Sequence, residues 1–370
     1  MYIEKLNVLN FKNYSSEEIS FSPEINLVTG LNGSGKTNLL DAIHCLSLGK
    51  SAFSTQEQNL ILTNQPFLSA LGFFNKKGKS YEVRYDYQKG SKKVILLDGK
   101  PYDRLSDHIG RFPVVLINPD DQNIIREGSE ERRKFFDQLF CQIDHQYLTQ
   151  LMHYMHLLKQ RNALLKEWKE GITKKDFVLL DSYDGPLLKL NEELHTTRKK
   201  YTQHFLTYFL LQYKKLTEDK ERMNIVYQSD LFKSDFPGLF HKNRDRDQIM
   251  ERTTLGIHKD DFLFTLGEQT VKHYASQGQQ KSFVIALKLA QLEMMREFSK
   301  TEPILLLDDI FDKLDDERIH HLVHNIAGTT TGQIFITDAR PERSMEIIRL
   351  LKREIRIFQI DKGRVVSDKL

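Results

Sequence analysis

The sequence predicts an α/β fold, a mixed or parallel sheet with helices, interrupted by an inserted helical domain that holds a short antiparallel helical hairpin. Short apolar strands lie near both ends of the chain, at Ile25–Thr29, Phe112–Ile117 and Ile304–Leu307. The middle instead carries apolar residues every three to four positions in two stretches, which is typical of amphipathic helices. Helix-breaking residues between Gly171 and Pro186 separate those stretches, so we expect two helices that lie against each other.

The change of pattern along the chain sets the expected domain boundaries. Residues 1–118 and 250–370 are expected to form the two parts of one domain, and residues 119–249 the inserted helical domain. The first residues alternate apolar and polar side chains, which predicts a strand and not the apolar segment of a signal peptide. A tight turn at Asp98-Gly99 predicts a hairpin, because glycine accepts a positive φ.

Composition and charge narrow the class of protein. The chain has 370 residues, 39% hydrophobic and 28% charged, which suits a globular protein of two or three domains. No apolar run approaches the ~18 residues of a membrane helix, so we expect no membrane partner. Two cysteines, Cys45 and Cys141, cannot form a disulfide framework, and a cytoplasmic location is expected.

The net charge of +3 is too small to indicate a nucleic-acid partner by itself. DNA binding would therefore need a local basic patch. Lys76–Lys79 and Lys89–Lys93 are candidates, although solvated turns are the simpler interpretation of both clusters.

The strongest functional signal is the segment GLNGSGKT, which matches the phosphate-loop pattern G-x-x-x-x-G-K-[ST]. It follows the predicted strand Ile25–Thr29 and precedes an apolar helical run, Asn38–Leu46. Glycines here let backbone N–H groups cradle phosphate oxygens, while the lysine reaches the β- and γ-phosphates and the threonine binds Mg²⁺. The alternative is a glycine-rich turn without a ligand. The predicted ATP-binding residues are Gly30, Leu31, Asn32, Gly33, Ser34, Gly35, Lys36 and Thr37.

A phosphate loop needs a nearby acidic group to hold its metal ion, and the segment ILLLDD, Ile304 to Asp309, provides two. Its four apolar residues predict a buried strand with both carboxylates at its end. We predict that Asp308 binds Mg²⁺ together with Thr37, and that Asp309 is the catalytic group that polarises the attacking water. Apolar strands that end in aspartate are common, so this assignment depends on the phosphate loop.

A second anion-binding surface is predicted at the segment ASQGQQKS, immediately before another helix. Ser276, Gly278 and Gln279 lie where a helix N-terminus offers free N–H groups to a phosphate. Two phosphate-binding surfaces in one chain are typical of ABC-type ATPase heads, in which the second surface closes on ATP held by a partner subunit. We therefore expect an ATP-dependent homodimer. The alternative is an ordinary helix cap, with Ser276 as the capping residue.

Several longer segments make the chain resemble the RecF family, bacterial DNA-repair ATPases related to SMC-type heads. The resemblance runs along nearly the whole chain and is more specific than the phosphate loop. Leu307–Ile319 resembles the acid strand of the family and the D-loop that follows it. The other segments are Leu6–Tyr14, Pro119–Asp137 with its paired Arg132 and Arg133, Leu158–Lys166 and Gly256–Phe262.

The resemblance implies an ATP-dependent DNA-binding protein of recombinational repair and replication-fork maintenance that supports SOS induction. ATP and Mg²⁺ are the implied cofactors. The implied partners are DNA, either single-stranded or gapped, and repair proteins of the RecR and RecO type. ATP-driven closing of two heads would clamp the DNA, and weak, DNA-dependent ATP hydrolysis would release it.

Some positions depart from the related patterns. Gly256–Lys259 reads Gly-Ile-His-Lys where Gly-Pro-His-Arg is expected, and Gln277 stands where wider ABC signatures often have glycine. Asp309 stands where most ABC ATPases have glutamate, and Thr337-Asp338 falls where transporters place a switch histidine. The shorter acid and the missing histidine indicate slow hydrolysis, with ATP used mainly as a conformational switch.

A chromosome-organising, SMC-like ATPase is the main alternative function. It requires a coiled-coil arm of hundreds of residues, whereas helices of ~25 residues span only about 40 Å. An ATPase subunit of a transporter would need a membrane partner and has no place for the helical insertion. His320 and His324 have the spacing of a metal pair, but a solvated helix face is the simpler interpretation.

Overall fold

The computed structural model describes residues 1–217, 221–310, 332–340 and 352–369, together with residues 326, 345, 346 and 348. The chain forms two units, and each is built from more than one segment. The first unit comprises Met1–Gln122, Leu211–Lys220 and Lys281–Leu370, and the second comprises Asn123–Leu210 and Glu221–Gln280.

The second unit begins close to the predicted boundary but ends later than expected. We predicted a return to the first domain at residue 250, whereas the second unit extends to Gln280. The reason is strand pairing, because Asp261–Leu266 pairs antiparallel with Met223–Gln228 and so remains with the inserted segment. The predicted insertion 119–249 therefore differs from the second unit mainly at its C-terminal boundary.

One sheet of the first unit is antiparallel and consists mostly of the N-terminal residues. Its strand order is β2-β1-β4-β5-β6-β7, and the predicted turn at Asp98-Gly99 joins its last two strands. Asp98 has φ 51° and Gly99 has φ 76°, the left-handed backbone that a two-residue hairpin turn requires. The strands are β1 (Tyr2–Phe11), β2 (Tyr14–Ser20), β4 (Phe67–Lys76), β5 (Lys79–Gln88), β6 (Val94–Leu97) and β7 (Lys100–Pro101).

The other sheet of the first unit is mostly parallel and combines strands from both ends of the chain. Its order is β15-β14-β3-β13-β12-β8, and all neighbours are parallel except β15, which is antiparallel to β14. The carboxyl ends of β3, β13 and β12 therefore lie along one edge. The strands are β3 (Ile25–Thr29), β8 (Val114–Ile117), β12 (Ile304–Leu307), β13 (Ile334–Asp338), β14 (Ile355–Asp361) and β15 (Arg364–Lys369).

Helix α1 (Lys36–Leu48) contributes buried side chains to the hydrophobic core of the first unit. Its buried side chains Leu39, Ile43 and Leu46 pack in one cluster with apolar residues of both sheets. The helix ends at Gly49, whose φ of 64° is left-handed and whose N–H bonds the Cys45 carbonyl at 2.8 Å. This packing holds the N-terminus of α1 at the carboxyl edge of the parallel sheet.

The second unit contains a small antiparallel sheet and several helices. The strand order of the sheet is β11-β10-β9, with β9 (Met223–Gln228), β10 (Asp261–Leu266) and β11 (Gln269–Thr270). Its helices are α2 (Asn123–Arg126), α3 (Ser129–Ile143), α4 (His145–Lys169), the larger part of α5 (Phe177–Thr217), α6 (Phe236–Lys242), α7 (Arg244–Met250) and α8 (Val271–Tyr274). Helix α9 (Gln277–Ser299) begins at the end of this unit.

The predicted antiparallel helical hairpin is present as α4 and α5. Gln150 of α4 bonds Glu193 of α5, and Arg161 further along α4 bonds Asp184 earlier on α5. Contacts whose residue numbers rise on one helix and fall on the other define an antiparallel pair. No helix in the described ranges has the length and apolar character needed to cross a bilayer.

The predicted helix-breaking zone is only partly correct, because α5 begins at Phe177 and continues through Pro186. Proline inside a helix removes a backbone hydrogen bond and costs about 3 kcal/mol or more. Here Leu180, Asp184 and Leu187 are fully or almost fully buried on the same stretch. Tertiary packing of this stretch outweighs its low helix propensity.

Some predicted features fall on residues without a described structure. The D-loop after Ile310 and the pair His320 and His324 lie outside the described residues.

A buried ion-pair network links α4, α5 and α7 inside the second unit. The Arg161 guanidinium is fully buried and bonds Asp184 at 2.6 Å and Asp247 at 2.8 Å. It also donates to the Thr253 hydroxyl at 2.8 Å. Removing one partner of such a network leaves buried, unpaired charge, which costs about 3–5 kcal/mol.

We expect Arg161→Ala to lower the free energy of unfolding of the second unit by about 3–5 kcal/mol, because Asp184 and Asp247 lose their counter-charge. Urea denaturation followed by the fluorescence of Trp168, the single tryptophan of the chain, measures this unit. Lys134→Ala is the control, because Lys134 is 59% exposed and pairs with Glu130 and Glu131 at the surface. Equal midpoints for the two variants would contradict the prediction.

Candidate functional site

The predicted phosphate loop lies between the carboxyl end of β3 and the N-terminus of α1, as the sequence pattern requires. Gly30, Gly33 and Gly35 have φ values of 149°, 80° and 122°, which only glycine adopts readily. Leu31, Asn32 and Gly33 are exposed at the tip of the loop. A helix N-terminus preceded by such a loop directs free N–H groups and a positive partial charge towards one point.

The side chains of the loop match what a polyphosphate needs. Lys36 is 4% exposed, and its Nζ donates to the carbonyl oxygens of Gly30 at 2.9 Å and Leu31 at 3.3 Å. This holds the ammonium group across the loop. The buried hydroxyl of Ser34 has no hydrogen-bond partner within the described chain, and buried polar atoms nearly always have one. A phosphate oxygen would satisfy it, so the loop fits an anionic phosphate group.

The acid strand brings Asp308 directly to the phosphate loop. The Thr37 hydroxyl lies 2.9 and 3.0 Å from the two carboxylate oxygens of Asp308. A hydroxyl and a carboxylate are the oxygen ligands that Mg²⁺ prefers, together with phosphate oxygens and water. The chemistry of this pair fits Mg²⁺.

Thr337, at the end of β13, connects the two acids. Its hydroxyl donates to Asp308 Oδ1 at 2.8 Å and accepts the backbone N–H of Asp309 at 2.9 Å. Burial raises the pKa of the Asp308 carboxyl, while the bonds from Thr337 and Thr37 act in the opposite direction. A cation at this point would favour the ionised carboxylate.

Asp309 has an unusual backbone conformation for a non-glycine residue. Its φ is 44°, in the left-handed region, and its side chain is partly exposed. Its carboxylate lies 3.5 Å from the Thr337 hydroxyl, at the limit of a hydrogen bond. Asp309 therefore presents a carboxylate next to Asp308 that the fold does not bind tightly.

The second predicted anion-binding segment forms a reciprocal helix cap. The Ser276 hydroxyl accepts the N–H of Gln279 at 3.2 Å, and the Gln279 side chain accepts the N–H of Ser276 at 2.6 Å. Gln279 also donates to Glu221 at 2.8 Å. Gly278 lies in the first turn of α9, and Ser276 is exposed. The segment thus offers a capped helix N-terminus at the surface of its unit.

Sequence reasoning did not assign roles to several residues that touch the phosphate loop. The Asn13 amide bonds the Ser34 carbonyl, and the Tyr14 hydroxyl bonds the Gly35 carbonyl, both at 2.9 Å. Thr337 was noticed only as a departure from transporters. The available signal was the Lys-Asn-Tyr turn after β1, which contributed to the resemblance but indicated no contact.

Comparisons with known proteins show to which family the chain belongs. The sequence profile described as "RecF/RecN/SMC N terminal domain" matches residues 2–364. The DNA replication and repair protein RecF of Cytophaga hutchinsonii is 49% identical over 365 residues, covering 99% of this chain and 96% of the relative. The chain belongs to the RecF family. RecF of Flavobacterium johnsoniae is 40% identical over 360 residues, covering 97% of this chain and all of the relative.

Solved structures extend the RecF likeness to the fold. A structure described as the recombination mediator protein RecF with ATP in the RecFOR pathway has a TM-score of 0.88 at 27% identity. It covers 100% of this chain and 98% of its own. The Smc head domain of Pyrococcus furiosus has a TM-score of 0.58 at 19% identity, covering 100% of this chain and 95% of its own, and shows a related fold only. The predicted ABC-type head is confirmed.

We expect Lys36→Ala to reduce ATP affinity by about 10- to 150-fold, because a charged contact to phosphate is worth about 1.5–3 kcal/mol and about 1.4 kcal/mol is tenfold. Fluorescence titration with a labelled ATP analogue measures the dissociation constant. Lys5→Ala is the control, since Lys5 pairs with Glu18 at the surface of the same unit. Wild-type affinity in Lys36→Ala would show that Gly30–Thr37 is not the nucleotide site.

Proposed function

We propose that this chain is an ATP-dependent DNA-binding protein that acts in recombinational repair, maintains replication forks and supports SOS induction. One observation carries the proposal. Thr37 of the phosphate loop and Asp308 of the acid strand meet within hydrogen-bond distance in a member of the RecF family. The RecF relatives are described as DNA replication and repair proteins, which supports the same role here.

The nucleotide would be held by the chain's own donors. The loop N–H groups and the Lys36 ammonium bind the β- and γ-phosphates, and the Ser34 hydroxyl donates to a phosphate oxygen. Thr37 and Asp308 hold Mg²⁺, which neutralises phosphate charge when it is bound. Asp309 orients the attacking water and accepts a proton from it. The loosely held Asp309 carboxylate suits this task.

Hydrolysis would be weak and ATP would act mainly as a switch. An aspartate places its carboxylate about one methylene further from the γ-phosphate than a glutamate does. Thr337, at the position of the transporter histidine, already bonds Asp308 and Asp309. Its hydroxyl is thus engaged in orienting the acids.

A second copy of the chain would complete the site. Ser276, Gly278 and Gln279 form a surface helix N-terminus that would cover the γ-phosphate held by the other subunit. Two such contacts related by a two-fold axis make an isologous interface that buries both nucleotides. ATP then binds the closed dimer better than the open monomer, which is the condition for a ligand to shift the population.

The closed dimer would grip single-stranded or gapped DNA through a local basic surface. RecR and RecO type repair proteins would be partners, because a related structure is described within the RecFOR pathway. We propose a cytoplasmic location for this function. An SMC-like role is less well supported, since α5 spans only about 60 Å at 1.5 Å per residue and the Smc likeness is one of fold.

We expect Asp309→Asn to keep ATP bound but to slow its hydrolysis by about 100-fold or more, the usual contribution of a general base. Thr37 and Asp308 remain in place, so affinity for ATP should change little. Phosphate release in the presence of DNA measures the rate. Asp103→Asn, at an exposed turn of the same unit, is the control. Unchanged hydrolysis would exclude Asp309 as the water-positioning group.

We expect Ser276→Arg to prevent ATP-dependent dimerisation while the monomer still binds ATP, because a long cation would occupy the surface that meets the other subunit. Ser276→Ala separates this effect from helix capping, whose loss costs only about 1 kcal/mol and should leave a dimer. Sedimentation velocity with and without ATP measures both. If Ser276→Arg dimerises normally, the segment is only a helix cap.

DNA affinity should depend on both ATP and salt. Counterion release predicts a fall of about 10³-fold or more between 50 and 200 mM salt if six or more phosphates are contacted. Fluorescence anisotropy with a gapped duplex, with intact duplex as the comparison, measures this. If DNA affinity does not change with salt concentration, base stacking and not phosphate contact is the main interaction with DNA.

A further inference from the structure

The carbonyl oxygen of Ser34 accepts hydrogen bonds from two distant parts of the chain. The amide Nδ2 of Asn13 donates to it at 2.9 Å, and the backbone N–H of Gly363 donates at 2.8 Å. Asn13 lies in the turn between β1 and β2, whereas Gly363 lies in the turn between β14 and β15. Two segments that are far from the phosphate loop in sequence therefore hold the same atom of it.

The direction of a held carbonyl fixes the direction of the next N–H group. The peptide unit is planar and trans, so the carbonyl of one residue and the N–H of the next point in opposite directions. The two hydrogen bonds to the Ser34 carbonyl therefore also fix the direction of the Gly35 N–H. The Tyr14 hydroxyl, 2.9 Å from the Gly35 carbonyl, acts in the same way on the N–H of Lys36.

We propose that Asn13 and the turn Lys362-Gly363 are positioning elements of the nucleotide site, which orient the Ser34–Gly35 peptide so that its N–H faces the phosphates. The proposal rests on the proposed ATP-binding function. The hairpin of β14 and β15 then contributes to phosphate binding, although its residues lie outside the phosphate-loop motif.

Asn13 is closely packed against both the phosphate loop and the hairpin of β14 and β15. A Cβ on Gly35 would lie 2.7 Å from Asn13 Nδ2, and a Cβ on Gly363 would lie 2.1 Å from the Asn13 backbone oxygen. Asn38, on the first turn of α1, donates to Asn13 Oδ1 at 2.8 Å. That bond leaves the Nδ2 of Asn13 directed at Ser34. The turn, the loop and the hairpin are in contact at this point.

The chain contains a matched control for a substitution in the hairpin. Lys362-Gly363 has φ values of 46° and 73°, and Asp98-Gly99, in a hairpin of the same unit, has 51° and 76°. A Cβ on Gly99 would meet nothing within 4 Å, unlike one on Gly363. Gly99→Ala and Gly363→Ala therefore share the strain of a left-handed alanine, and only Gly363→Ala displaces Asn13.

The first experiment compares these two variants in the full-length protein. We expect Gly99→Ala to lower the melting temperature of the nucleotide-free protein, and Gly363→Ala to lower it further, because its Cβ also meets the Asn13 backbone. Only Gly363→Ala should raise the dissociation constants of ATP and ADP, by about tenfold, the effect typical of losing a supporting contact. Tripolyphosphate, which has neither base nor sugar, should compete for the site correspondingly less well, because the defect lies in the phosphate cradle.

The second experiment changes the donor without changing its size. Asn13→Asp can still accept from Asn38, but it cannot donate to the Ser34 carbonyl, and its charge opposes a bound anion. We expect at least the same tenfold loss of ATP affinity. In the double variant the two losses should combine to less than their product, because both act through one carbonyl. Asn13→Asp also tests the proposal if Gly363→Ala fails to fold.

The outcomes separate this proposal from the function on which it rests. Suppose that wild type binds ATP and that Lys36→Ala binds it more weakly. If Asn13→Asp and Gly363→Ala then bind ATP like wild type, the positioning role is wrong, whereas the nucleotide site stands. If Gly99→Ala loses as much ATP affinity as Gly363→Ala, the effect is general strain and the proposal fails. If wild type binds no ATP, both proposals fall.

Discussion

The contact between Thr37 and Asp308 depends on a constraint of the parallel sheet. Strand β13 lies between β3 and β12, so the phosphate loop that follows β3 and the acids that follow β12 are two strands apart. The Thr37 side chain reaches Asp308 directly across that gap. Thr337, at the end of β13, donates to the same carboxylate at 2.8 Å, and its burial together with that of Asp308 makes this hydrogen bond stronger than it would be in water.

Local patterns in the sequence were sufficient to predict those parts of the fold that short, continuous segments determine. The strand before Gly30, the helix after Thr37 and the strand before Asp308 are each encoded by adjacent residues. The helix through Pro186 was not predictable in the same way, because the burial of Leu180 and Asp184 on that stretch offsets the cost of the proline. The C-terminal limit of the inserted unit was missed because it depends on pairing between β9 and β10.

The same difference between local sequence patterns and contacts between separate segments applies to the candidate site. Gly30–Thr37 forms one continuous motif and Asp308 ends one strand, so spacing alone identified them as candidates. The contacts of Asn13, Thr337 and Gly363 join residues that lie 21 or more positions apart in the sequence, and no local pattern encodes such contacts. For Ser276 the sequence was compatible with two roles, a helix cap and a phosphate-binding surface. The structure of the single chain contains the capping hydrogen bond.

The order of strands in the parallel sheet also governs how the protein can assemble on the ribosome. β3 (Ile25–Thr29) is synthesised long before both of its neighbours, β13 (Ile334–Asp338) and β14 (Ile355–Asp361). The antiparallel sheet and most of the second unit consist of strands and helices close in sequence and can form during elongation. The native partners of β3, whose five residues are all buried in the folded protein, are therefore absent until β13 and β14 have been synthesised. That interval is when a nascent chain of this topology most needs a chaperone.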